Sequence, residues 1–125
     1  MAINLNPLLF IVPGIASHSQ NMYVRSIVDT ASKRGYDVAV INYRGLAGAD
    51  LMSPRLFHAG CHEDILEPMK YIYEKYGRGT GRKVFAIGCS MGGGILANLL
   101  GSEGTDCFLD AASCVAAPLK SWVCR

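Results

Sequence analysis

The sequence predicts an α/β fold: a parallel sheet of about four strands in the order 2-1-3-4, with helices on both faces. Three observations carry that prediction. Short, continuous apolar runs suited to strands buried on both sides alternate with longer stretches of helical periodicity. Charged residues make up only 18% of the 125 and apolar ones 50%, against about 25% charged in an average soluble domain, so much of the chain must be buried. Finally, Val84 to Leu100, VFAIGCSMGGGILANLL, runs from one apolar segment through a glycine-bounded serine directly into another. That is the pattern of a strand, a very tight turn and a helix.

The first strand is Leu8 to Val12, stopped by Pro13-Gly14. A loop to Gln20 leads into a helix whose apolar positions Val24, Ile27, Val28 and Ala31 follow helical spacing; Ser19 or Asn21 can cap it, and Lys33-Arg34-Gly35 ends it. Asp37 to Tyr43 contains the second strand, Val38 to Ile41, expected to be buried, and Arg44 to Gly48 forms a turn that Ser53-Pro54-Arg55 extends. The next helix begins near Asp64, with Asp64 and Glu67 spaced like a capping box, Pro68 in the first turn, and Ile65, Met69, Ile72 and Tyr76 along one face. Gly77 to Gly81 close it. The third strand, Val84 to Ile87, then breaks at Gly88-Cys89-Ser90-Met91-Gly92 into a deeply apolar helix that Gly101 is expected to stop, and Ala111 to Ala117 supplies the fourth strand before Pro118. If the third strand joins the first on the side away from the second, the winding reverses between them. Ligands bind at such a crevice.

Bulk properties exclude several classes. A net charge of +2 with no basic stripe does not imply nucleic acid, and Arg78, Arg82 and Lys83 read as a solvated loop. The cysteines Cys61, Cys89, Cys107, Cys114 and Cys124 form no C-x-x-C pair, so free thiols in a reducing compartment are expected. His58 and His62 beside Cys61 hint at ligand spacing, but no second cluster completes a metal site, and no cofactor is called for. The start, MAINLNPLLFIVPG, lacks a basic head and a long apolar run, which predicts neither a signal peptide nor a membrane span. A cytoplasmic or membrane-associated chain of one domain is expected.

The serine turn carries the chemistry. In a G-x-S-x-G turn the hydroxyl of Ser90 is thrust out above the carboxyl end of the sheet on a strained backbone. Gly88 and Gly92 are needed because a β-carbon at either would sit between strand and helix. The bland alternative is a glycine-rich turn with an ordinary serine. A phosphate-cradling loop fits less well, since Gly88-Cys89-Ser90 breaks G-x-G-x-x-G and no Gly-Lys-Ser/Thr follows.

The chain resembles the α/β-hydrolase superfamily, and within it the hydrolase-4 group, relatives of the abhydrolase-domain lipid esterases. The matching stretches are Pro13-Gly14 with Ser17-His18-Ser19, Tyr23-Val24-Arg25, Arg34-Gly35-Tyr36, Asn42-Tyr43-Arg44-Gly45, Ser53-Pro54-Arg55-Leu56, Ala59-Gly60 with Glu63-Asp64, Gly88 to Gly93 with Asn98, and Ala117-Pro118-Leu119. They run along nearly the whole chain in the family's order. The resemblance implies a partial α/β-hydrolase domain over residues 1–125, with Ser90 as nucleophile towards an ester carbonyl. It also implies an oxyanion held by the backbone N–H groups of Met91 and Ile15. Where the family usually carries a second glycine shortly after the first, this chain has Ile15-Ala16-Ser17-His18.

In this fold the triad runs Ser, then Asp or Glu, then His, with the two partners on loops after later strands. Up to Arg125 the chain is expected to hold only the nucleophile half. His18 is a candidate substitute base or a loop-capping residue; His58 and His62 are expected to be solvated, and Asp110 lies at the wrong end of its strand. Two readings follow. One is a serine carboxylester hydrolase of lipid or short-chain acyl esters, without metal or other cofactor. The other is a catalytically incomplete chain that pairs with itself or with a partner through exposed sheet edges.

Overall fold

The computed structural model describes residues 4–48, 50, 52 and 60–119. Strands β1 (Leu8–Val12), β2 (Asp37–Val40), β3 (Val84–Cys89) and β4 (Ala111–Val115) form one parallel sheet in the order β2-β1-β3-β4. Helices α1 (Met22–Lys33), α2 (Glu63–Tyr76) and α3 (Met91–Glu103) connect them, and a short 3-10 turn over Gly104–Asp106 follows α3. Strand order and parallel pairing agree with the sequence expectation. The register sets Leu8 opposite both Asp37 and Val84, and Cys89 opposite Val115.

Side chains alternate along a strand, and that alternation makes two layers. Leu8, Phe10 and Val12 of β1 enter a buried cluster with Ile65, Leu66 and Met69 of α2 and Ile95, Leu96 and Leu99 of α3. Ile11, on the opposite side of β1, is also fully buried but lies outside that cluster; buried Val24 and Ala31 of α1 mark the second layer. Helix α1 ends as its sequence predicts. Gly35 has a φ of 84°, its N–H donates to the Ser32 carbonyl, and the Tyr36 N–H donates to that of Ala31. This is the double bond of a Schellman cap.

Several boundaries and environments differ from expectation. Strand β2 stops at Val40, and its residues are only half-buried because it is an edge strand; Ile41 is buried just beyond it. Strand β4 stops at Val115 and is exposed along its length, being the other edge. Strand β3 continues to Cys89. Helix α3 runs through Gly101 to Glu103 and ends at Gly104, whose φ is 55°; Gly101 meets open space and keeps helical backbone. At α1, Asn21 is the capping residue, but its side chain accepts the His18 N–H rather than one from the helix.

Helix α2 departs most. It begins at Glu63 with His62 before it, there is no side-chain cap, and Pro68 falls beyond the first turn. The Asp64 carboxylate instead accepts two hydrogen bonds from the Arg44 guanidinium, one from Nε at 2.6 Å and one from Nη2. Tyr76 is exposed rather than part of the buried face. Nor is Arg82 solvated. Its side chain is 5% exposed, donates to the Asn6 carbonyl at 2.6 Å and pairs with Asp37; Arg78 and Lys83 are exposed and pair with Glu74 and Asp110. The expected loop at Ser53-Pro54-Arg55 lies outside the described residues, as do His58 and Cys124.

Candidate active site

Ser90 stands where β3 ends and α3 begins. Its φ of 53° and ψ of −121° lie where residues with a β-carbon seldom go, a conformation that costs about 1–3 kcal/mol and that surrounding packing must hold. The chain thereby turns from strand to helix at a single residue. Its side chain is exposed at the carboxyl end of the sheet, and among the described residues the hydroxyl is hydrogen-bonded to none. The Ser90 N–H donates to the Val115 carbonyl at 2.8 Å, and the Ser90 carbonyl accepts from Gly93 and Gly94 in the first turn of α3.

The glycines let the turn close. A β-carbon on Gly92 would lie 2.2 Å from the Pro13 carbonyl oxygen and 2.3 Å from that of Val12; on Gly88 it would lie 2.7 Å from the Gly92 carbonyl oxygen. On Gly93 it would meet the Ala117 β-carbon at 2.8 Å, and on Gly94 the Pro118 carbonyl oxygen at 2.8 Å. All are far inside normal contact distance. The start of α3 therefore rests directly on the ends of β1 and β3 and on the segment after β4.

The loop after β1 lies beside the serine. A β-carbon on Gly14 would sit 3.5 Å from that of Ser90 and 3.4 Å from the Cys89 carbonyl oxygen. Pro13 and Gly14 are buried, whereas Ile15 is 74% exposed. The Ser17 N–H donates to the Gly14 carbonyl at 3.1 Å, closing a turn in which Ala16 has a φ of 52°, the left-handed region that favours glycine. This left-handed position is thus held by a strained alanine. Among the described residues, neither the Ile15 N–H nor the Met91 N–H has an acceptor. Met91 opens α3, where unpaired N–H groups and the helix dipole favour negative charge. An exposed hydroxyl near such N–H groups is what acyl transfer requires.

The histidines stand elsewhere. His18 turns into its own loop, its Nδ1 accepting the Gln20 N–H at 3.2 Å. His62 precedes α2, and its carbonyl accepts the Ile65 and Leu66 N–H groups. Asp110 lies at the amino end of the sheet, where its carboxylate accepts the Val84 N–H at 2.7 Å. Burial pushes the Cys89 thiol above its ordinary value, so it stays neutral beside Ser90 at physiological pH. Among the described residues, no group of His, Cys, Asp and Glu side chains could hold a metal ion.

Sequence reasoning missed Tyr23 and Tyr43. The Tyr43 hydroxyl donates to the Pro13 carbonyl at 2.5 Å, and the Gly14 N–H donates to the Tyr23 hydroxyl at 2.8 Å. Both fall in stretches that carry the family resemblance, but nothing in those stretches shows that the two hydroxyls meet one peptide, 9 and 30 residues away.

The alpha/beta hydrolase fold family matches residues 7–118. The monoacylglycerol lipase ABHD2 of Mus musculus is 39% identical over 94 residues, covering 74% of this chain and 21% of its own length. The medium-chain fatty acid ethyl ester synthase/esterase 2 of Saccharomyces cerevisiae is 36% identical over 113 residues, covering 90% of this chain and 24% of its own. Among solved structures, the esterase Pf2001 of Pyrococcus furiosus superposes with a TM-score of 0.72 at 17% identity, over 91% of this chain and 44% of that one. The chain spans less than a quarter of the length of the two curated relatives. With a matching sheet order, a strained serine between β3 and α3 and a family match along most of its length, the chain belongs to the α/β-hydrolase fold family.

Proposed function

We propose that the chain is the nucleophile-bearing part of a serine carboxylester hydrolase acting on lipid or short-chain acyl esters. The observation that carries this reading is the Ser90 backbone, strained at the turn from β3 into α3 with its hydroxyl exposed beside the loop after β1. In the first step the Ser90 Oγ forms a bond to the ester carbonyl carbon, and negative charge on the carbonyl oxygen is received by the N–H groups of Met91 and Ile15. The alkoxy group then leaves as the alcohol, taking a proton, and the acyl group stays on Ser90. Water later cleaves that acyl-enzyme to the carboxylic acid and restores the hydroxyl. In this fold the histidine that moves the protons and the acid that orients it come from loops after later strands, so this part supplies the nucleophile and the oxyanion donors. The lipid preference draws on the relatives' names, a monoacylglycerol lipase and a fatty acid ethyl ester esterase. Among the described residues no helix is long and apolar enough to cross a membrane.

Labelling tests the reading. The chain is incubated with an alkyl fluorophosphonate and its intact mass measured, with Ser90→Ala as control. One adduct, absent from the control, is the expected result. Because the base comes from later loops of the fold, labelling is expected to be slower than in a full-length relative; a folded chain that labels at Ser90 no faster than the urea-unfolded chain defeats the proposal, as does equal labelling of the control.

A second reading rests on β4. All five of its residues are exposed and none is charged, so this edge can pair with another strand.

A further inference from the structure

Pro13 and Gly14 share one peptide bond, and both its polar ends are taken by tyrosine hydroxyls. Tyr43, fully buried just after β2, donates to the Pro13 carbonyl; Tyr23, in the first turn of α1, accepts from the Gly14 N–H. The same carbonyl is the atom closest to where Gly92 would carry a β-carbon, so this peptide is wedged between α3 and the two rings. The following peptide, Gly14–Ile15, has its carbonyl taken by the Ser17 N–H. Because carbonyl and N–H of a trans peptide point opposite ways, the Ile15 N–H faces out of that turn.

We propose that Tyr23 and Tyr43 are positioning residues for ester cleavage at Ser90: they fix the plane of the Pro13–Gly14 peptide and, through it, the direction of the Ile15 N–H. The inference rests on the reading of Ser90 as nucleophile and Ile15 as an oxyanion donor. Neither tyrosine touches the reacting atoms. Their chemistry suits the task. Burial pushes the Tyr43 phenol far above its ordinary value, so it remains an O–H donor across the working range of pH. A buried carbonyl such as that of Pro13 needs a donor, and a phenylalanine ring in the same place would supply none. Aim matters because hydrogen bonds weaken steeply once the donor angle falls below about 120°.

A pair of reagents separates aim from mere stability. With an alkyl fluorophosphonate, the Ser90 Oγ bonds to phosphorus, fluoride leaves and the hydroxyl proton passes to solvent, while the P=O oxygen occupies the oxyanion position. The corresponding fluorothiophosphonate reacts at the same atom but presents sulfur, a weak acceptor. General loss of fold slows both reagents alike. In the full chain, Tyr43→Phe and Tyr23→Phe are each expected to slow P=O labelling about tenfold and P=S labelling by about twofold at most. Tyr23, partly exposed, retains the test if Tyr43→Phe fails to fold. An unchanged ratio of the two rates in the folded variants, with the parent labelled at Ser90, overturns the positioning role alone. If the parent forms no Ser90 adduct, the nucleophile reading falls and the positioning role falls with it.

Discussion

Gly92 and Gly101 lie in the same helix and respond in opposite ways to the same substitution. A β-carbon on Gly92 runs into two backbone oxygens that cannot step aside, so Gly92→Ala is expected to cost about 3 kcal/mol or more. Gly101 faces open space, and Gly101→Ala should gain about 1 kcal/mol from helix propensity. Urea midpoints of the two variants check both signs. Ala16 offers a subtler case. Glycine there relieves left-handed strain of about 1 kcal/mol but frees the unfolded chain by about as much, so Ala16→Gly should be neutral or slightly stabilising. The same change at Ala97, inside α3, should cost about 1 kcal/mol. A clear loss at Ala16 would contradict the strained turn. The close approach at Gly92 was legible because a strand that turns into a helix within one residue leaves no room for a β-carbon. The two tyrosines were not, because what they bind is set by how α1 and the end of β2 converge on one loop.

The two edge strands are finished differently. The Asp37 carboxylate, at the start of β2, is drawn up by partial burial, but hydrogen bonds from Asn4, Asn6 and Arg82 outweigh that and hold it below its ordinary value. A carboxyl lowered in the folded state stabilises above its unfolded pKa of about 3.9, and that contribution is lost as pH falls through the lowered value. Stability against urea should therefore fall below about pH 4, and Asp37→Asn should flatten that acid limb. An identical limb in the variant would remove Asp37 as its source. In α2, Asp64→Ala removes the bidentate partner of Arg44 and should cost about 1.5–3 kcal/mol, more than a lost helix cap. The spacing of Asp64 and Glu67 invited the capping reading. A local pattern does not register a guanidinium arriving from another segment, which outcompetes a backbone N–H for the carboxylate. The helical face was readable through Met69 and failed at Tyr76, where α2 runs past the core.

At the scale of the molecule, the parallel sheet followed from the alternation of strands and helices, and its order from setting the third strand beside the first on the side away from the second, while burial at the margins did not follow. Apolar runs look alike in the centre and at the rim of a sheet; only neighbours decide what they cover. Here α2 and α3 close one face, while on the other Leu9, Tyr36, Phe85, Ile87 and Ala111 surround an open hollow of about 310 Å³ next to the bare edge of β4. An uncharged edge that no described residue covers, beside apolar surface, should make the isolated chain associate as its concentration rises. Light scattering after size exclusion should show mass increasing with loading, and Ser113→Lys should suppress the increase. A strictly monomeric parent would exclude pairing through β4.

The bond from the Ser90 amide to Val115 ties the serine turn to this outer border. When the last residues of β4 fray, the serine's main chain loses one of its moorings; when another strand clasps that border, the mooring tightens. For the nucleophile proposed at Ser90, the rate of meeting an electrophile is then expected to depend on whatever lies along the rim.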